Sequence, residues 1–156
     1  MRHIISVLLE NESGSLSRVA GLFSARSFNI ESLSVAPSED HSASRMTIVT
    51  SGDDAVIEQI IKQLNKLVDV IKVSEITSNE HIEREIAFVK IAGKDIDEKT
   101  LNKFSKNEFL KLHKTKNNEI IIECVDSPEK INIFIKSVKK IAVKIVRSGA
   151  VGINSN

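Results

Sequence analysis

The sequence has very few of the residues that disulfide frameworks and base-stacking surfaces require. Its 156 residues include one cysteine, Cys124, and neither tryptophan nor tyrosine. A single cysteine excludes an internal disulfide bond and fits a reducing compartment. Six phenylalanines are the only aromatic residues, so a surface that stacks single-stranded bases would be poorly supplied.

The charge balance and the short hydrophobic runs narrow the class of protein further. The formal net charge is +1, with 28% charged residues, so the sequence does not predict the basic surface that non-specific nucleic-acid binding needs. No stretch approaches the roughly 20 apolar residues of a membrane span. The apolar run near the N-terminus is too short for a secretory signal. We expect a cytoplasmic protein with no nucleic-acid or membrane partner.

Motifs for metal binding and nucleophilic catalysis are also missing. His3, His41, His81 and His113 are not paired at the spacing of metal ligands, and Cys124 has no CxxC partner. The sequence contains no GxGxxG, GxxxxGK[ST] or GxSxG. We therefore expect no metal site and no catalytic residues. A small enzyme is the least favoured of the functions considered.

The first half of the chain alternates strand-like and helix-like patterns. Strands are predicted at 2–9, 30–36, 44–51 and 68–76. A helix at 14–27 is predicted from Leu16, Val19, Ala20 and Phe23, which follow the helical spacing, with Ser13 as its N-cap. A second helix is predicted after Asp53, which is also placed as an N-cap. The order β-α-β-β-α-β is that of the ferredoxin-like α+β plan.

The second half repeats this pattern. "REIAFVKIA" at 84–92 matches "RHIISVLLE" at 2–10, and a helical stripe after Ser127 and Pro128 matches the one after Asp53. We therefore predict two tandem ferredoxin-like βαββαβ units, with domains at 1–77 and 84–156 and a polar linker at 78–83.

The two halves differ in one segment. The offset between matching residues falls from 82 to 74, so eight residues are missing between the first and third strands of the second half. There "GKDIDEKTLNKFSKNEFLKLHKTKN" has no counterpart of "NESGSL" at 11–16. If that stretch binds a ligand, only the first half should do so.

The first strand carries apolar residues on both of its sides. Ile5, Val7 and Leu9 share one side, and Ile4 and Leu8 share the other. Two helices cover only one face of a sheet. The other face or an edge is therefore expected to pack on another domain or subunit.

The stretch "NESGSL" joins a strand to a helix, where free backbone N–H groups and the helix dipole favour an anion. Gly14 permits a close backbone approach and unusual dihedral angles. The residues alone also fit a simple helix cap, and Asn29 in "FNIES" also fits a simple loop residue. Either motif could carry a ligand site, and the sequence pattern leaves both interpretations open.

These motifs together resemble a known family. The run "HIISVLLENESGSLSRVAGLFSARSFNIESLSVAP" with "SRMTIVT" and "QLNKLVDVIKVSE" is similar to the regulatory (small) subunits of acetohydroxyacid synthase, also called acetolactate synthase. The similarity is dense over residues 2–76, includes "REIAFVKI", and returns in "VRSGAVGI" at 146–153. The middle of the second half is divergent and shorter than is usual in this family.

The resemblance implies an ACT domain in the first half, a module that senses amino acids. Two such domains would pair as a homodimer into an eight-stranded sheet, with L-valine or a related branched-chain amino acid bound between them. The matching positions are Asn11, Gly14 and Leu16 from one subunit and Asn29 and Ile30 from the other.

The resemblance also implies a non-catalytic role. The chain would activate a large catalytic subunit and make it sensitive to feedback by valine in branched-chain amino-acid biosynthesis. It would bind no cofactor itself; thiamine diphosphate, Mg²⁺ and FAD are expected on the catalytic subunit. The alternative is a stand-alone ACT-type sensor that regulates another enzyme or a transcription factor.

Overall fold

The computed structural model of the chain describes residues 1–116 and 119–155. It divides into two compact units, and each is described by itself. The first contains residues 1–82 together with the C-terminal segment from Ala150, and the second contains residues 83–149.

The first unit has the predicted β-α-β-β-α-β order. Its elements are β1 (Arg2–Glu10), α1 (Ser15–Ala25), β2 (Ser32–Pro37), β3 (Ala43–Ser51), α2 (Asp54–Leu64) and β4 (Val70–Glu75). The four strands form an antiparallel sheet in the order β2-β3-β1-β4. This confirms the ferredoxin-like plan and leaves β2 and β4 at the sheet edges.

The core of the first unit lies between one sheet face and the two helices. Ile5, Val7 and Leu9 alternate along β1 and are almost completely buried against Phe23 of α1 and Ile60 of α2. Each such side chain contributes about 1.5–3 kcal/mol when it leaves water. The period-2 pattern of β1 therefore fixes which face carries the helices.

The second unit repeats the β-α-β-β-α-β order, with a shorter segment between its first and second strands. Its elements are β5 (His81–Ala92), a 3₁₀ turn (Gly93–Asp95), α3 (Glu98–Ser105), β6 (Leu110–Lys114), β7 (Glu119–Asp126), α4 (Pro128–Val138) and β8 (Ala142–Arg147). The sheet order is β6-β7-β5-β8, which corresponds to the order in the first unit. Val89, Ile91 and Ile122 lie at the centre of its core.

A ninth strand, β9 (Val151–Asn154), was absent from the sequence interpretation. Its segment belongs to the first unit, where β9 contacts β1 on the sheet face opposite the helices and the N–H of Ser155 donates to the carbonyl of Glu80 at 3.0 Å. A methyl group built on Gly152 would lie 2.6 Å from Ile76 Cδ1 and 3.7 Å from Ile4 Cγ2, which measures how closely this backbone approaches. Part of the second apolar face is thus covered by this chain's own C-terminal segment.

The structure divides the chain differently from the proposed boundaries of 1–77, 78–83 and 84–156. β5 already begins at His81, inside the expected linker. The segment from Ala150, assigned to the second domain by sequence, makes its contacts with the first unit. The contacts of this C-terminal segment join residues that are far apart in the chain. The repeat pattern in the sequence therefore could not predict them.

Two of the three predicted helix caps are present. Asp53 accepts a hydrogen bond from the N–H of Val56 at 2.8 Å. Ser127 is the N-cap of α4, with Pro128 at the first helical position, where a missing N–H costs nothing. The Ser13 cap was wrong, because α1 begins after Gly14 and has no side-chain cap.

Within residues 1–116 and 119–155, no helix is both long enough and apolar enough to cross a membrane.

Candidate ligand site at the turn between β1 and α1

Gly14 forms the entrance to α1 in a conformation that other residues rarely adopt. Its φ is +94° and its ψ is −15°, in the left-handed region. A side chain here would meet the side chain of Arg18, whose Nη1 lies 3.1 Å from an ideal Cβ. The turn therefore depends on glycine for its backbone shape.

The first turn of α1 presents free backbone donors. The N–H of Ser15 donates to the carbonyl of Glu12 at 3.3 Å, and the N–H of Arg18 begins the helical pattern by donating to Gly14. The N–H groups of Leu16 and Ser17 lie between them and have no intrahelical acceptor. The first turn contains no acidic residue, so the helix dipole and these N–H groups can receive a carboxylate.

Asn11 holds the turn against the loop between β2 and β3. Its Nδ2 donates to the carbonyl of His41 at 2.9 Å, and its Oδ1 accepts from Ser44 Oγ at 3.0 Å. The backbone N–H of Asn11 also donates to the carbonyl of Ser42 at 2.7 Å. One Nδ2 hydrogen and one Oδ1 lone pair remain for a ligand.

Leu16 is 42% exposed, which corrects the predicted core stripe of α1. The residues that face the core are Ser15, Val19, Leu22 and Phe23. Leu16 and Ala20, four residues apart, share one exposed flank of the helix. The buried face of α1 is therefore rotated from the predicted one: Ser15 faces the core where the sequence pattern had placed Leu16.

Arg18 lies on the opposite flank of α1. Its Nε donates to the buried carboxylate of Asp69, between α2 and β4, and this hydrogen bond raises the pKa of the guanidinium. The carbonyl of Asp69 accepts from the N–H of Glu10, so Asp69 contacts both sides of the turn. No sequence pattern predicted this pair, because its members are 51 residues apart.

Asn29 and Ile30 lie at the other end of the same sheet. The carbonyl of Asn29 accepts from Thr50 Oγ1 at 2.6 Å, while its side chain is exposed. Ile30 packs partly against the core. Along β3, the end of β1 is opposite Ala43 and the start of β2 is opposite Val49, about 20 Å away at 3.4 Å per residue.

The five predicted residues therefore do not meet within one copy of the chain. One end of the sheet holds Asn11, Gly14 and Leu16, and the other holds Asn29 and Ile30. We call the two groups the half-sites of the predicted ligand site: one holds the N–H donors and the apolar flank of α1, and the other holds the exposed amide of Asn29.

Among residues 1–116 and 119–155, no group of three or more His, Cys, Asp or Glu side chains is arranged to hold a metal ion. The turn offers backbone N–H groups, the amide of Asn11 and the apolar side chain of Leu16, which suit a small zwitterion better than a metal ion.

Comparison with known proteins identifies the family to which this chain belongs. Residues 5–72 match the model of the "AHAS small subunit-like ACT domain", and residues 84–156 match the model of the "small subunit of acetolactate synthase". The fold and these matches define the class, a protein with an ACT domain followed by a second ferredoxin-like unit. More particularly, the chain belongs to the acetolactate synthase small-subunit family.

The similarity extends over the whole chain. The acetolactate synthase isozyme 3 small subunit of Salmonella typhimurium is 46% identical over 156 residues, covering 99% of this chain and 96% of its own length. The isozyme 3 small subunit of Escherichia coli is also 46% identical, with the same coverage. The crystal structure of the small subunit from Thermotoga maritima has a TM-score of 0.89 at 34% identity and covers 100% of this chain and 98% of its own.

Proposed function

We propose that this chain is the regulatory subunit of an acetolactate synthase in the cytoplasm, and that it binds L-valine or a related branched-chain amino acid between two copies of its first unit. It raises the activity of a separate catalytic subunit and makes that activity sensitive to the amino acid. Thiamine diphosphate, Mg²⁺ and FAD belong to the catalytic subunit in this proposal.

The observation that carries the proposal is the separation of the two half-sites. β2 is an edge strand, and among residues 1–116 and 119–155 only β3 pairs with it. If the β2 strands of two copies pair antiparallel about a twofold axis, each strand runs opposite to its partner. The start of β2 in one copy then lies at the end of the sheet where the other copy has Gly14. Pairing thus brings Asn29 and Ile30 of one copy towards Asn11 and Leu16 of the other.

The exposed flank of α1 supports the same pairing. Arg18 faces the α2–β4 side of the unit, so Leu16 and Ala20 face the β2 side. Val35 on β2 is 40% exposed. A second copy added at this edge would bury these apolar side chains.

The chemistry of the turn suits a free amino acid. The first turn of α1 supplies N–H donors for the carboxylate. The amides of Asn11 and Asn29 supply oxygen acceptors for the ammonium group. Leu16 and Ile30 supply apolar surface for a branched side chain. Such surface discriminates a single methylene by only about 1–3 kcal/mol, so leucine and isoleucine should bind with different but measurable affinity.

The experiment that tests the proposal measures acetolactate formation by the catalytic subunit, with and without this chain, across L-valine concentrations. We expect the chain to raise activity several-fold, and valine to lower it only when the chain is present. Calorimetry with the chain alone should show valine binding.

Two other results would contradict the proposal in different ways. Valine binding without any effect on the catalytic subunit would make the chain a sensor for another partner. Absence of binding heat and of a thermal shift at millimolar L-valine would remove the sensing role altogether.

A further inference from the structure

The second unit contains a cavity of its own. Its volume is about 270 Å³, and it lies where α3 and α4 face each other above β7. Its lining residues are Lys103, Phe104, Asn107, Phe109, Leu110, Cys124, Asp126, Lys130, Ile133, Phe134 and Ser137. The cavity is comparable to the smaller ligand sites of proteins.

Half of the aromatic residues of the chain line this cavity. The rings of Phe104 and Phe134 contact each other edge to face, with centroids 5.8 Å apart. Phe109 is 51% exposed and Ile133 is 68% exposed at its mouth. Large apolar side chains that remain this accessible gain free energy when another molecule covers them.

The charges around the cavity favour an anion. The Nζ of Lys130 lies 4.6 Å from the centroid of the Phe109 ring and 3.2 Å from Oδ2 of the buried Asp126. The other Asp126 oxygen accepts from the N–H of Ser127 at 2.7 Å. Lys103 has no ion-pair partner in the part of the chain that the structure describes. The one carboxylate is therefore satisfied, and one of the two ammonium groups is free.

Cys124 forms an apolar part of the wall. Burial, followed by the neighbouring charge of Asp126, raises the pKa of its thiol. The thiol therefore stays protonated near neutral pH and is a poor nucleophile. Cys124 therefore contributes apolar surface to the cavity wall.

The cavity is built by the segment that distinguishes the second unit from the first. Five of its lining residues lie in "GKDIDEKTLNKFSKNEFLKLHKTKN", which has no counterpart of the Gly14 turn. Where the first unit has the glycine turn, the second unit has a different segment and an aromatic cavity between α3 and α4.

We propose that this cavity is a second ligand site, which takes a small monocarboxylate with a branched or unbranched apolar body. The apolar body lies against Phe104, Phe134 and Ile133. The carboxylate lies at the mouth, where Lys103 is free and Lys130 adds a second ammonium group. This site is independent of the amino-acid site proposed in the first unit.

Three probes of the same shape and different charge test the chemistry. The full chain, saturated with L-valine to occupy any site in the first unit, is titrated with 4-methylpentanoate, 4-methylpentanamide and 4-methylpentylammonium. Amide chemical shifts of ¹⁵N-labelled protein report both affinity and location. We expect the anion to bind most tightly, with shifts centred on Phe109, Lys130 and Ile133.

Variants at the mouth separate the anion contact from the apolar contact. Lys103→Gln should weaken binding of the carboxylate about threefold to fivefold, which is typical of an exposed charge contact, and should leave the amide unchanged. Ile133→Ser should weaken both probes to a similar degree. Val143→Ser is the matched control, because Val143 is 61% exposed on β8 and does not line the cavity.

Equal affinity for the three probes would overturn the anion assignment. Shifts that map outside the second unit, or that persist unchanged in both Lys103→Gln and Ile133→Ser, would overturn the site itself. Because all the replaced side chains are exposed, the variants should fold, and the amide spectrum of each variant verifies this.

Discussion

At the scale of single residues, Gly14 occupies a backbone conformation that restricts the position to glycine. Its positive φ makes any L side chain unfavourable by about 1–2 kcal/mol. The Cβ would also point towards Arg18, on the flank opposite Leu16. A side chain at this position therefore acts by distorting the turn and its N–H donors, and not by filling the apolar half of the site.

Gly14→Asp should consequently lower stability and abolish detectable valine binding. The new carboxylate would lie beside the Arg18 guanidinium and compete with Asp69 for it. Thermal unfolding and calorimetry measure the two effects, and Gly21→Asp is the control, because a Cβ at Gly21 meets open space. Normal valine affinity in Gly14→Asp would show that the site is placed wrongly.

A substitution at Asn29 should affect ligand binding without affecting stability, unlike a substitution at Gly14. Its side chain is exposed and forms no hydrogen bond within residues 1–116 and 119–155. Asn29→Ala should leave the free energy of unfolding within about 0.5 kcal/mol of the parent. It should weaken L-valine binding about tenfold, since a hydrogen bond to a charged group is lost. Asn79→Ala, at an exposed position away from both half-sites, should change neither quantity.

At the scale of elements, capping decides where helices begin. α3 is only eight residues long and buries no residue completely, so its cap matters more than that of a packed helix. The N–H of Thr100 donates to Asp97 Oδ1 at 2.6 Å. This hydrogen bond holds the pKa of the Asp97 carboxyl below its ordinary value.

The depressed pKa fixes the direction of a pH effect. The stabilisation from Asp97 is present above the ordinary pKa of aspartate and is lost as the pH falls through the lower folded value. Asp97→Ala should therefore lower the melting temperature at pH 7 and have little effect in strong acid. Asp97→Asn, which keeps an acceptor but carries no charge, should lower the melting temperature less than Asp97→Ala at pH 7, and this difference from the parent should also shrink in strong acid. An equal loss for Asp97→Ala at both pH values would exclude the charged cap.

At the scale of the whole molecule, the proposed ligand site is incomplete within a single copy of the first unit. Its two half-sites lie at opposite ends of a sheet about 20 Å apart, and only a second copy can bring them together. Ligand binding and self-association are then linked, because a ligand that contacts both copies stabilises the pair.

Ala20→Arg should weaken self-association, since Ala20 lies on the exposed flank of α1 that faces the β2 edge. Sedimentation equilibrium should show a shift towards monomer together with weaker valine binding. Gly21→Arg places the same charge one residue along, on a different face of the helix, and should remain associated. A monomeric parent protein, with or without valine, would refute the two-copy site.

Much of the fold was accessible from the sequence because it rests on local patterns. Alternation in β1, the caps at Asp53 and Ser127, and the repetition of "RHIISVLLE" as "REIAFVKIA" each reflect interactions within a few residues or a simple period. These patterns, with the family resemblance, also led to the residues proposed for the site.

The tertiary structure alone decided the remaining features. The Arg18–Asp69 contact, the packing of β9 against Ile4 and Ile76, and the left-handed entrance at Gly14 join segments distant in sequence or depend on a backbone angle. The rotation of α1 that exposes Leu16 depends on which neighbour fills the core. The sequence by itself determined two ferredoxin-like units and their family; the separation of the half-sites is a property of strand register, which only the folded sheet defines.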